Sequence, residues 1–107
     1  MPDNFNELTA SETERLSILA EELGEAVQAV GKILRHGYKS KSPFELFNNR
    51  QNLEKELSHV IFAMEMLNKS GDINEKHVEE HLNKKAESAK RWLHHQPLDD
   101  ADVSDPV

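Results

Sequence analysis

Two stretches of this chain carry apolar residues at alternating steps of four and three and a third carries them at mixed steps of four and three, and this spacing constrains the fold more than any other feature. In the first stretch Leu16, Ala20, Leu23, Val27, Val30 and Leu34 recur in this way. At 3.6 residues per turn they form one stripe along an α-helix. Leu53, Leu57, Val60, Met64 and Leu67 repeat the pattern, and Val78, Leu82, Ala86, Ala89 and Leu93 form a third apolar face. No segment shows the period-two alternation of a half-buried strand. The spacing predicts an all-α protein with these stripes as the core of a helical bundle.

Local signals set the expected boundaries. Ser11-Glu12-Thr13-Glu14 has the form of a capping box, so the first helix is expected to run from about residue 11 to His36, ahead of Gly37. Gly37 and Pro43 punctuate residues 37–49, where Phe44, Leu46 and Phe47 are candidate anchors. A loop with one short helical turn is expected there. The second helix should span residues 49–69 and stop at Ser70-Gly71. Asp72-Ile73-Asn74-Glu75 resembles another capping box, opening a third helix that stops before Pro97. Residues 97–107 hold four aspartates, two prolines and no aromatic, the composition of a disordered acidic tail. The expectation is a single helical domain over residues 1–96: an antiparallel bundle of three main helices plus a short connecting helix.

Size and composition argue that this bundle is completed by oligomerisation. A chain of 107 residues with 36% hydrophobic and 31% charged residues has little core to build with. Its helices also carry two apolar-looking stripes that one chain cannot cover, so a homodimer or homotetramer is expected. Without cysteine there is no disulfide framework and no thiolate metal site. There is no signal-like segment and no long apolar run, so a cytoplasmic protein without a membrane role is expected. A net charge of −7 opposes general nucleic-acid binding, which needs a basic surface. Acidic groups suit a cation better.

Where the carboxylates sit relative to the stripes is therefore informative. At about 100° per residue, Ile18, Glu22, Glu25, Ala29 and Ile33 form a second stripe on the first helix, whereas Glu21, Gln28 and Lys32 lie on another side. On the second helix Asn52, Glu56, His59, Ala63 and Met66 flank the heptad stripe, with Glu56 and His59 sharing a face at i and i+3. The two polar pairs can converge. Three or four ligands on rigid facing helices are what a hard cation such as Mg²⁺ requires. The plainer alternative for any single glutamate is a solvated acidic face, and for His59 a satisfied interfacial histidine. His77 and His81 have chelating i, i+4 spacing but no accompanying ligand motif, and exposed positions are expected for them. Trp92 is expected in core or subunit interface, and Tyr38, Phe44 and Phe47 are expected to pin the loop.

The string Glu21-Glu22-Leu23-Gly24-Glu25, followed by Asn49-Arg50 and then Glu56-Leu57-Ser58-His59, resembles the MazG-like nucleoside triphosphate pyrophosphohydrolases. Their signature is a Glu-x-x-Glu helix and a later Glu-x-x-Asp helix. The resemblance covers residues 16–93. It implies hydrolysis of a nucleoside triphosphate between the α and β phosphates, with Mg²⁺ held by Glu22, Glu25 and Glu56. It also implies that a carboxylate of the set, Glu22 being the first candidate, orients or deprotonates the attacking water. His59 stands where the family has aspartate. It can serve as a nitrogen ligand that favours Mn²⁺ or another transition metal, or pair with Glu56 with no metal at all. Phosphates beyond the metal need basic partners, for which Lys32, Arg35, Arg50 and Lys85 are the candidates. Two other classes stay open: a catalytically silent relative that binds nucleotide or a protein partner, and a helical oligomerisation module whose acidic stripes pair with Lys32, Arg35 or Arg50.

Overall fold

In a computed structural model the fold is described over residues 5–97. It contains three helices, α1 (Ala10–His36), α2 (Asn49–Lys69) and α3 (Glu75–Ala89), and no strand among the described residues. The all-α expectation is met. The acidic tail expected over residues 97–107 lies, from residue 98 on, outside the described residues. The chain divides after Asp72 into two compact units, each taken by itself below.

In the first unit α1 and α2 form an antiparallel hairpin: Arg15, early in α1, pairs with Asp72 just after α2, while Glu22 approaches His59 and Glu25 approaches Glu56. The cap of α1 is displaced from the expected one. Thr9 Oγ1 accepts from the Glu12 amide at 3.0 Å while Glu12 Oε1 accepts from the Thr9 amide at 2.8 Å, so the box is Thr9–Glu12 instead of Ser11–Glu14. Both strings fit the motif, and the helix takes the earlier one. At the other end Gly37, with φ at +88°, turns the chain out of the helix while its amide still reaches Ile33 O. α2 has a reciprocal cap from Asn48 and Gln51, and its bounds match the expected ones.

The stripe that packs inside the hairpin differs from the one expected. Leu16, Leu23, Val30, Leu57 and Met64 are exposed, Val27 is 70% exposed and Leu34 82%. The buried apolar positions are Ala26, Ala29, Ala63 (0% exposed) and Leu67: Ala29 and Ala63 belong to the flanking stripes, Ala26 adjoins them on α1, and Leu67 is the one heptad residue among them. The reason is size. Alanines at the contact let two helix backbones come close together, and the interaxial distance follows the side chains between them. Most heptad residues of α1, with Leu57 and Met64 of α2, are left as apolar surface on the outside of the hairpin.

Turns, with no helix, connect α1 to α2. One is closed by Glu45 N donating to Ser42 O at 3.1 Å, so the expected connecting helix is reduced to a single turn. Asn49, only 5% exposed, fastens the connector: its Nδ2 donates to Gly37 O and its amide to Ser40 O, both at 3.0 Å. Phe44 and Leu46 are exposed and do not anchor it.

In the second unit α3 is capped by Asn74, whose Oδ1 accepts from the amides of Lys76 and His77. The expected Asp72–Glu75 box is not made, because the Asp72 carboxylate is engaged by Arg15. α3 ends at Ala89, earlier than expected. Arg91 and Trp92 amides reach back only three residues, to Ser88 O and Ala89 O, so the last turn tightens and the helix stops well short of Pro97. No α3 residue is buried, and Val78 and Leu82 are exposed. Among the described residues no helix is long and apolar enough to cross a membrane.

Candidate metal centre

Three carboxylates and one imidazole converge between α1 and α2. Glu22, Glu25, Glu56 and His59 each offer one ligand atom, and these atoms all lie within 4.8 Å of one another. The convergence follows from the fold. Glu22 and Glu25 stand one helical turn apart on α1, Glu56 and His59 one turn apart on α2, and the antiparallel alignment sets the two pairs opposite each other. The small residues Ala26, Ala29 and Ala63 next along the contact bring the helices near enough for side chains from both to share one ion.

The environment of the four groups is uneven. Glu22 and Glu56 side chains are largely buried and His59 is about half exposed. His59 Nδ1 lies 3.5 Å from Glu22 Oε1 and 3.5 Å from Glu56 Oε1. Those two oxygens are sealed from solvent and accept no hydrogen bond. Buried oxygens of this kind are costly unless a donor or a cation satisfies them. Lys55 Nζ approaches the other Glu56 oxygen at 3.7 Å. Glu25 is the more accessible member. Its carboxyl is pushed above the ordinary glutamate range, first by lost solvation and then by the charges of Glu56 and Glu22, with a hydrogen bond to Glu56 acting in the same direction.

A metal ion fits this donor set. Three carboxylates supply oxygen ligands, the two orphaned oxygens supply the electrostatic need, and the imidazole supplies a nitrogen that Mn²⁺ accepts more readily than Mg²⁺. The cluster can hold a metal ion; its geometry does not select which.

The basic candidates are distributed otherwise. Lys32 Nζ pairs with Glu45 Oε2 at 3.4 Å, and Lys32 and Arg35 line a pocket beside the connector. Arg50 lies over the Tyr38 ring, 4.6 Å from its centroid. Lys85 belongs to the second unit, where its Nζ lies 4.9 Å from the centre of the Trp92 ring. His77 and His81 are exposed, as expected.

Two contacts escaped sequence reasoning. Arg15 grips Asp72 at two points, Nε to Oδ2 at 2.6 Å and Nη2 to Oδ1 at 3.0 Å, and closes the end of the hairpin away from the connector. The available signal was position: Arg15 sits seven residues before Glu22, on the same side of the helix. Glu45 is the second, since nothing in the connector's sequence indicated that its carboxylate would turn back to Lys32.

Compared with protein-family models, curated proteins and solved structures, the chain matches none.

Proposed function

We propose that this chain is a metal-dependent nucleotide pyrophosphohydrolase of the MazG-like kind, converting a nucleoside triphosphate to the monophosphate and pyrophosphate. The observation that carries the reading is the meeting of Glu22, Glu25, Glu56 and His59 across two helices, with two buried carboxylate oxygens lacking any hydrogen-bond donor. A divalent ion held by these residues would neutralise phosphate oxygens and favour attack on the α phosphorus. Glu22 and Glu56 point sealed oxygens into the cluster and serve to hold it. Glu25, accessible to solvent, is better placed than Glu22 to orient a water or take its proton. Lys32, Arg35 and Arg50 then meet phosphate oxygens beyond the metal.

In this reading residues 1–96 act as one MazG-like domain, a helical bundle completed in a homodimer or homotetramer. The exposed heptad residues of α1, with Leu57 and Met64 of α2, support it, because large apolar patches are uncommon on a monomer. Cytoplasmic nucleotides are the substrate pool it implies. The test is pyrophosphate release from a panel of canonical and modified nucleotides with Mg²⁺ or Mn²⁺; folded protein that releases none from any of them overturns the proposal.

His59 supports a second reading, a catalytically silent relative that binds nucleotide or a protein partner. With Nδ1 3.5 Å from both Glu22 and Glu56, a protonated His59 supplies positive charge where the metal would otherwise do so. His59→Asp separates the two. Activity created by the substitution favours the silent reading, and activity lost from an active wild type makes His59 part of the working site.

A further inference from the structure

The chain is acidic as a whole, but its connector end is not. Residues 32–50 hold five of the 13 lysines and arginines (Lys32, Arg35, Lys39, Lys41, Arg50) and one of the 20 acidic residues, Glu45. Charge segregation of this kind is unexpected for a solvated surface, on which both signs are ordinarily interspersed. At its centre is a cavity of about 300 Å³ lined by Lys32, Arg35, His36, Ser40, Lys41 and Asn49, with Ser42 and Glu45 at its wall.

The single carboxylate in that cavity is placed as a bound anion would be. Glu45 Oε2 lies 3.4 Å from Lys32 Nζ, and its Oε1 accepts from the Ser42 backbone amide at 3.4 Å. Both contacts are long for charge-assisted hydrogen bonds, so displacing the carboxylate forfeits little. Lys41 is held independently of that side chain, donating to the Glu45 carbonyl at 2.8 Å. The Arg35 side chain makes no ion pair or hydrogen bond among the described residues, which leaves one guanidinium without a counter-charge beside the cavity.

The geometry points to a phosphate-binding pocket at the connector, separate from the metal cluster, in which Glu45 occupies the anion's place until a phosphate group displaces it. Lys32 and Arg35 are the charge partners, the Ser42 amide and the Ser40 hydroxyl the hydrogen-bond donors, and Glu45 the internal competitor. The ligand class is a phosphate or pyrophosphate group. It comes either as a free anion or as the far end of a nucleotide whose reacting phosphate is at the cluster. Lys32 follows Glu25 by seven residues, hence about 10 Å along α1 and only about 20° around it, nearer to Glu25 than the expected division into sides placed it, so one extended nucleotide can reach both. The inference adds to the pyrophosphohydrolase reading but does not need hydrolysis to be true.

The test is titration of inorganic pyrophosphate into the full chain with chelator present, followed through the backbone amide resonances of Ser42 and Glu45. Saturable shifts are expected in the wild type, tighter by about tenfold in Glu45→Gln because the pocket is no longer self-occupied, and absent when Lys32→Ala and Arg35→Ala are combined. No saturation in either the wild type or Glu45→Gln overturns the proposal, as does saturation that survives loss of Lys32 and Arg35. Helical content measured on each variant confirms that the fold is retained, and absence of metal keeps the result independent of the cluster. Repeating the titration with a nucleoside triphosphate and Mg²⁺ assigns the source. Shifts of the same amides that pyrophosphate competes away identify the nucleotide's distal phosphates, and shifts with pyrophosphate alone identify a free anion.

Discussion

His59 Nδ1 on α2 stands 3.5 Å from Glu22 Oε1 on α1. An imidazole there leaves the cluster with three negative charges, and it offers nitrogen to an ion that prefers oxygen if that ion is Mg²⁺. Wild-type protein is expected to bind Mn²⁺ more tightly than Mg²⁺. His59→Asp should narrow that gap and tighten Mg²⁺ by about tenfold, since a hard anionic ligand replaces a neutral one. Calorimetric titration of both ions into both proteins measures this, and unchanged Mg²⁺ affinity in the variant counts against His59 as a ligand.

Glu25 sets a pH dependence on the metal-free protein. Its folded pKa is raised above the ordinary value of 4.5, so the folded state binds this proton more tightly than the unfolded chain does. The contribution to stability is fully present below the unfolded pKa and is lost as pH rises through the folded one, leaving a cost at neutral pH. Glu25→Gln should therefore raise the melting temperature in chelator at pH 7 and make little difference at pH 4. In saturating metal the order should reverse, because the variant forfeits a ligand, and ligand at a hundred times its Kd stabilises by about 2.7 kcal/mol. Thermal melts at the two pH values, with and without Mn²⁺, give all four comparisons.

Arg15 and Asp72 act in the opposite pH direction. The guanidinium beside Asp72 holds its carboxyl below the ordinary aspartate value, so the pair's stabilisation is present above the unfolded pKa and is lost as pH falls through the folded one. Asp72→Asn should lower the melting temperature by several degrees at pH 7 and by much less in strong acid. A double-mutant cycle with Arg15→Ala should show coupling at neutral pH, because the contact is two-pronged and its side chains are mostly buried.

Ala63 has no exposed surface at the contact between α1 and α2. Ala63→Leu should force the helices apart, costing about 1–3 kcal/mol by overpacking, and weaken metal binding at the cluster one turn away. Urea unfolding and a metal titration on the same variant check both halves. Undiminished metal affinity in a destabilised variant would break the link between helix spacing and the site.

Much of this protein is written in local sequence. Gly37, Ser70-Gly71 and the capping residues mark where α1 and α2 stop and start, because turn geometry and orphaned helix-end groups are satisfied by nearby side chains. The i, i+3 spacing of Glu22 with Glu25 and of Glu56 with His59 likewise follows from helix geometry alone. What the chain by itself left open is which of two stripes on each helix meets the other. Periodicity identifies apolar faces but not their partners, and the larger heptad residues drew the expectation toward Leu23 and Val27. The tertiary structure chose the alanine-bearing face, where small side chains permit close approach, and with it decided that the carboxylates lie between the helices. It also diverted Asp72 from a helix cap to Arg15 and Glu45 from solvent to Lys32, pairings between residues 57 and 13 positions apart that no local pattern encodes.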